Sequence, residues 1–174
     1  MKRIKYFENF SHKSLKKTNE AKCKDFSEIG YDIEHKKIED QFDKNVKYDA
    51  YFGKNAESND YLTTTYSGKN AVTIRGIEPS PNDIWMHASG LPGSHLIVKA
   101  INDDAIPEYV LIKAAEIAKK NSKAKDLETC KVVFCKKDYV SKTPGSKTGE
   151  VLVDPVNRGY VTFSQGNQRV SYFN

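Results

Sequence analysis

The stretch from residue 82 to residue 95 constrains the fold most, because it predicts two antiparallel strands joined by a turn. In the first strand, Asp83, Trp85 and His87 alternate with apolar residues, and successive side chains of a strand point to opposite faces. An acid, an indole and an imidazole therefore share one face. This composition differs from that of an ordinary hydrophobic core face, so it is the first candidate for a functional site.

A turn at Gly90–Gly93 then reverses the chain, since Gly and Pro supply the backbone angles that tight turns need. The second strand is predicted at residues 94–100, where an apolar run follows His95. The reversal is expected to bring His95 close to the face that carries the indole and the first imidazole.

The residue types on this face leave several kinds of site open. His87 and His95 could hold a metal ion with Asp83 as a third ligand, but no Cys pair or His-Glu motif accompanies them. Ser94 precedes His95 directly, and neighbours on a strand point apart, which disfavours a nucleophile and base pair. The sequence contains no phosphate-binding or dinucleotide-binding glycine motif. We therefore expect no catalytic residue, metal or cofactor, while Trp85 could be either a core anchor or a contact residue.

The charge balance favours a polyanionic partner. The net charge is +5 and the isoelectric point is near 8.9. Ten Tyr and eight Phe add rings on which bases can stack. A solvated lysine-rich surface would give the same composition, so the charge alone does not identify the ligand.

The sequence also predicts where the protein resides. No apolar run reaches the roughly 18–20 residues of a membrane span, and mean hydropathy is −0.67. The basic segment Met1–Tyr6 has no apolar stretch behind it, so we expect no secretory signal. Cys23, Cys130 and Cys135 lack the spacing of a metal or redox motif and are typical of core thiols. Together these features predict a cytoplasmic protein with no membrane span.

The chain divides into two regions of different composition. Residues 1–45 are predicted to be a lysine-rich N-terminal extension, with a first strand at Lys2–Phe10, and residues 46–174 to be a single domain. Strands are predicted at seven further places, namely 46–52, 71–75, 84–87, 94–100, 131–135, 150–154 and 160–163, and the chain would close with 170–173. A turn and a helix cap are predicted at Ser58–Asp60.

One helix stands out after Pro107, because a stripe of small and branched apolar residues recurs at helical spacing: Val110, Leu111, Ala114, Ala115 and Ala118. Lysines crowd its end, where cations are favoured by the helix dipole. A run of strands with one main helix predicts an α+β fold, a mainly antiparallel sheet packed with that central helix and with shorter helices.

Several segments resemble, in the same order, the motifs of the NFACT RNA-binding domain (NFACT-R) family. The matching segments are Gly53–Asp60, Asp83–Ala88, Leu91–Val98, Ala114–Lys123, Val140–Lys142 and Gly145–Val151. The resemblance covers about residues 46–154. One departure from the family is Lys54, which stands where Arg is usual and weakens any bidentate phosphate contact.

In that family, the domain lies at the C-terminal end of ribosome quality-control factors, which bind stalled large ribosomal subunits and tRNA. The resemblance implies a non-catalytic RNA-binding module for tRNA or ribosomal RNA, with the ribosome as a further partner. The chain is similar to the small stand-alone members. Its oligomeric state stays open.

The predicted RNA-binding residues fall into two groups. Those expected to shape the pocket or to belong to its motifs are Asp60, Asp83, Trp85, His87, Gly93, Ser94 and His95. Those expected to supply polar and phosphate contacts are Lys54, Asn55, Asn59, Arg75, Lys123 and Lys142. Two alternatives use the same surface: a protein-docking module, and a metal-dependent nuclease or deaminase built around the two histidines.

Overall fold

A computed structural model of the chain describes residues 30–66 and 78–172. The predicted strands in this part of the chain show the alternation that the sequence predicts. The strands among these residues are β1 Ile33–Glu39, β2 Lys47–Gly53, β3 Ile84–Ala88, β4 Leu96–Val98, β5 Thr129–Lys136, β6 Val140–Ser141, β7 Leu152–Val153, β8 Gly159–Ser164 and β9 Asn167–Tyr172. The helices are α1 Ala56–Tyr61 and α2 Glu108–Lys120, with a π-helical turn at Leu62–Tyr66 and a 3₁₀ turn at Lys137–Tyr139.

Within the described residues, seven strands form one sheet in the order β1-β2-β4-β3-β5-β8-β9, and every neighbouring pair is antiparallel. The short strands β6 and β7 pair separately. The predicted α+β class with a mainly antiparallel sheet and one main helix is therefore confirmed. None of the helices in this part of the chain is long and apolar enough to cross a membrane.

The two faces of the sheet are covered by different elements. Ile84 and Met86 of β3 face α2 and join the larger core cluster, in which the helix buries the predicted stripe Val110, Leu111, Ala114, Ala115 and Ala118. Three of these five residues are alanines, whose small side chains let the helix lie close to the sheet. Trp85 faces the opposite side and packs with Leu62 and Val140. The predicted division of β3 between two faces is confirmed.

Most predicted strands differ from the observed ones by one to three residues at an end, and for three predicted elements the contacts explain the difference. β4 is shorter than residues 94–100, because Ser94 N donates to Asn121 O and Ala100 N donates to the Asp83 carboxylate instead of to a neighbouring strand. β7 is shorter than residues 150–154, because Asp154 accepts the backbone N–H groups of the turn that follows.

The third correction concerns α1, whose N-cap lies three residues before the predicted cap at Ser58. Asn55 is its N-cap, and its side-chain oxygen accepts the N–H of Ser58 at 2.8 Å. The predicted strands at Lys2–Phe10 and at residues 71–75 lie outside the described residues. β1 lies in the predicted N-terminal extension and pairs with β2 from Ile33↔Gly53 to Glu39↔Lys47, and the boundary at residue 46 stays a prediction.

A buried ion pair joins the ends of β3 and β4 on the Trp85 face. Lys99 Nζ lies 2.5 Å from Asp83 Oδ2, and the two side chains are 7% and 0% exposed. Asp83 also accepts the N–H groups of Ser80 and Ala100, and Lys99 also donates to the carbonyl of Glu78. Each of these bonds compensates for the hydration that the two charges lose on burial. Removing either partner would therefore leave the other charge buried without compensation.

We expect Lys99→Met to lower the free energy of unfolding by about 3–5 kcal/mol at pH 7, since it leaves the Asp83 carboxylate buried without its cation. Urea unfolding followed by circular dichroism measures this loss. The matched control is Lys113→Met, whose side chain is 62% exposed and lies 3.5 Å from Glu116. This control should cost less than about 1 kcal/mol. Equal losses in the two variants would contradict the assigned role of the buried pair.

Candidate functional site

Four segments that are far apart in sequence meet around one open cleft of about 770 Å³, here called the Gly93 cleft. The first segment joins β2 to α1, the second is the turn between β3 and β4, the third is the C-terminal end of α2 with the residues after it, and the fourth is residues 148–150. The lining residues are Gly53, Lys54, Asn55, Ala56, Asn59, His87, Pro92, Gly93, Ser94, His95, Lys120, Asn121, Ser122, Lys123, Lys125, Thr148, Gly149 and Glu150. Most of the predicted motif segments therefore contribute to one concave surface.

Asn59 fixes the turn between β3 and β4 with both ends of its amide. Its Nδ2 donates to the carbonyl of Gly93 at 3.0 Å, and its Oδ1 accepts the N–H of His95 at 2.9 Å. The side chain is 7% exposed, so these bonds replace water that is no longer available. Asn59 is held in turn by α1, which Asn55 caps. The first two segments of the cleft are thus locked together.

Gly93 brings the turn into direct contact with the end of α2. A Cβ atom on Gly93 would lie 2.4 Å from the Cβ of Ser122, a separation that no side chain can tolerate. The backbones bond on either side of this point, since Ser94 N donates to Asn121 O at 3.0 Å and Lys123 N donates to Pro92 O at 2.9 Å. Glycine is required here by close approach, and the third segment is fixed to the second.

Four exposed lysines, which we call the rim lysines, surround the cleft among its described lining residues: Lys54, Lys120, Lys123 and Lys125. Glu150 is the acid in the same set. Lys54 Nζ donates to Asn121 Oδ1 at 3.1 Å and lies 3.4 Å from Glu34, so its ammonium group is held at the mouth. The rim therefore presents net positive charge to a ligand.

His95 is buried beneath the turn, in a polar chain that begins at the indole of Trp85. Trp85 Nε1 donates to Thr63 Oγ1 at 3.1 Å, and this hydroxyl lies 2.8 Å from His95 Nδ1. Trp85 is 1% exposed and His95 is 2% exposed. The open question about Trp85 is answered by this geometry, since the indole is a core anchor.

Burial, together with the smaller effect of the neighbouring His87, lowers the pKa of His95 to about 3, so the imidazole is neutral at pH 7. His87 lies with its ring centre 5.1 Å from that of His95 and is half-buried at the floor of the cleft. Burial also lowers the pKa of His87, and a backbone hydrogen bond with Gly93 opposes this shift. Both histidines of the cleft are therefore uncharged groups.

Asp60 and Lys142 form a support behind the cleft. Lys142 Nζ lies 2.9 Å from Asp60 Oδ2 and also donates to the carbonyls of Lys147 and Glu150. Asp60 Oδ1 accepts the N–H of Gly149 at 2.8 Å. These bonds hold residues 147–150 against α1, where three of them line the cleft.

Most of the predicted RNA-binding residues are brought together here. Those that line the Gly93 cleft are Lys54, Asn55, Asn59, His87, Gly93, Ser94, His95 and Lys123. Asp60, Asp83, Trp85 and Lys142 lie outside its lining, because each is bound to other parts of the fold. Arg75 lies outside the described residues. That any of these residues touches RNA stays a prediction.

Some lining residues were not among those predicted. Lys120 and Lys125 were predicted only as cations at the helix end, and the crowding of lysines there was the signal that could have identified them. Asn121 lies in the motif segment Ala114–Lys123 but was not predicted as a contact residue. Thr63, which joins Trp85 to His95 but does not line the cleft, has no sequence signal, since both partners are more than 20 residues away along the chain.

Asp83, the third ligand that the metal alternative requires, does not lie with His87 and His95. Asp83 lies at the other end of β3, bound to Lys99. In residues 30–66 and 78–172, no three His, Cys, Asp or Glu side chains are grouped so that they could hold a metal ion.

Comparison with known proteins identifies relatives over most of this region. A family model described as the NFACT protein RNA binding domain matches residues 40–155. The Rqc2 homolog RqcH of Bacillus subtilis (strain 168) is 34% identical over 110 residues, which cover 63% of this chain and 17% of that protein. The chain therefore spans about a sixth of the length of this relative.

A solved structure shares the fold. It is the C-terminal part of the fibronectin/fibrinogen-binding protein from Streptococcus suis, with a TM-score of 0.55 and 24% sequence identity. The match covers 75% of this chain and 45% of that one. At this identity, the likeness supports the arrangement of strands and helices.

The pKa of His95 makes the stability of the fold depend on pH. Its folded-state pKa of about 3 lies below the ordinary value of 6.5, so the unfolded chain takes up the proton first as the pH falls. We expect the contribution of this histidine to lower the free energy of unfolding by about 2 kcal/mol as the pH falls from 7 to 5. Urea unfolding of the natural protein and of His95→Gln at both pH values isolates this contribution. The variant should lose less stability over this interval, and equal losses would show that His95 is protonated in the folded state.

Proposed function

Because the chain belongs to the NFACT protein RNA binding domain family, as its motifs predicted, we propose that it binds RNA in the Gly93 cleft without catalysing a reaction. The RNA would be tRNA or ribosomal RNA, in the context of translation and ribosome quality control. That context is supported by the family and by the similarity to the Rqc2 homolog RqcH. A cytoplasmic location and the ribosome as a partner belong to the same proposal.

The observation that carries the proposal is the convergence of the family's motif segments on one cationic cleft. Asn59, Gly93 and Ser122 bind the segments to one another, and the rim lysines surround the surface that results. Phosphate groups are the ligand expected for several exposed lysines around a cleft, because half or more of the hydrogen bonds in nucleic-acid complexes go to the backbone.

The absence of catalysis is proposed from the chemistry of the groups at the floor. The histidines contact one another and the buried Thr63, and Ser94 is only 5% exposed. A nucleophile next to a base, oriented by a third group, is what covalent catalysis needs. The described lining residues of the cleft provide binding groups in its place.

We expect Lys123→Ala/Lys125→Ala to weaken binding to tRNA and to ribosomal RNA fragments and to make the binding less dependent on salt. Two lost phosphate contacts should reduce the slope of log affinity against log salt by about 1.4–1.8. Filter binding across a potassium chloride series measures the slope. The same RNA should be recovered intact after long incubation, since the proposed site has no catalytic role.

The matched control is Lys44→Ala/Lys47→Ala, which removes the same charge at the other end of β2, roughly 20 Å from Gly53. It should leave the slope nearly unchanged. Equal effects of the two double variants would show that net charge, and not the cleft, determines binding. A protein partner that is retained after nuclease treatment, with no RNA bound at low salt, would favour the docking alternative.

A further inference from the structure

The Gly93 cleft has uncharged groups at its floor and charged groups at its mouth. The groups at the floor are uncharged and sheltered: His95 is 2% exposed, Ser94 is 5% exposed and His87 is half-buried. The groups at the mouth are the rim lysines, all of which are exposed. A ligand that fits this gradient has a neutral part that enters and an anionic part that stays outside.

The floor is suited to a flat polar ring. His87 presents an imidazole whose pKa is lowered by burial, and therefore a neutral ring at pH 7. The ring is supported from behind by His95 and Trp85, with ring centres 5.1 and 6.0 Å away. A base can stack on such a ring or hydrogen-bond to it without having to remove the hydration shell of a charge.

The cleft has a size that suits a single base. Its volume of about 770 Å³ is that of a small-molecule site rather than of a groove for a helix. In an RNA duplex the bases are stacked inside, and the deep major groove is too narrow for side chains to read. A duplex therefore offers the rim lysines its phosphates and the groups of its shallow minor groove, whereas an unpaired nucleotide can also place its base against His87.

On the premise that RNA is the ligand, we propose that the Gly93 cleft selects unpaired nucleotides, as in a loop or a single-stranded end. The base enters the cleft beside the contact between the Gly93 turn and the end of α2, and it lies against His87, which lines the cleft. The phosphates on either side of it meet Lys54 and Lys123. Specificity for unpaired RNA thus comes from the floor, and salt-dependent affinity comes from the rim.

The test compares two RNA ligands with the full chain, by fluorescence anisotropy over a salt series. One is an unstructured ten-nucleotide oligouridine, and the other is a blunt ten-base-pair RNA duplex. We expect the single strand to bind at least about ten times more tightly, which is within the range of stacking one base on an aromatic ring. A duplex that binds as tightly as the single strand would overturn the proposal.

His87→Ala should weaken binding to the single strand about tenfold. The affinity for the duplex and the salt dependence of binding to both RNAs should stay unchanged. His87→Phe keeps a ring at the floor and should keep most of the single-strand preference, which guards against a fold defect in the alanine variant. The matched control is His35→Ala, because that ring stacks on Tyr51 outside the cleft. Unaltered single-strand binding by folded His87→Ala would overturn the proposal.

The outcomes separate this inference from the proposed function. If both RNAs bind equally and the rim lysines are still needed, the cleft binds RNA but does not select unpaired nucleotides. If neither RNA binds, the proposed function fails and this inference fails with it. Displacement of the oligouridine by a polyglutamate peptide at equal charge would also overturn the inference, since the cleft would then recognise charge alone.

Discussion

The contact between the turn at Gly93 and the C-terminal end of α2 is the constraint on which the candidate site depends. It requires a glycine, because any Cβ at that position would overlap Ser122. It also requires Asn59, whose amide bonds to the turn on both sides. Without this contact the sheet could form, but the lysines after α2 and the histidines below the turn would not share one cleft.

The same contact explains why the site combines rigid and adaptable groups. The floor is built on strands and on the buried chain from Trp85 through Thr63 to His95, where each polar group has a partner. The rim lysines stand on exposed segments at the edge of this scaffold. Long cationic side chains can follow an irregular phosphate backbone, while a fixed floor can discriminate between ligands.

Much of this arrangement follows from the sequence, and the reasons are physical. Alternation along residues 83–87 predicted which side chains of β3 share a face, and the stripe from Val110 to Ala118 predicted α2. Both signals come from burial, which imposes a period on the residues of one element. They therefore predict which side chains of β3 and α2 face the core.

Other parts could not be predicted, because they arise from contacts between elements. β1 is an edge strand whose side chains are mostly exposed, with Ile38 buried, so it lacks the alternation of a core strand. α1 has a polar sequence and depends on its Asn55 cap. Asp83 looked like a site residue from its face alone, but the register of β3 and β4 sets it beside Lys99.

One measurement tests the central claim most directly: nuclear magnetic resonance of the ¹⁵N-labelled full chain, titrated with a short unstructured RNA. We expect the largest amide shifts at residues 53–59, 92–95 and 120–125, since these are three of the four segments that line the Gly93 cleft. Shifts centred on the separate cleft lined by Thr64, Tyr139 and Leu152, with these segments unchanged, would contradict the assignment of the RNA site.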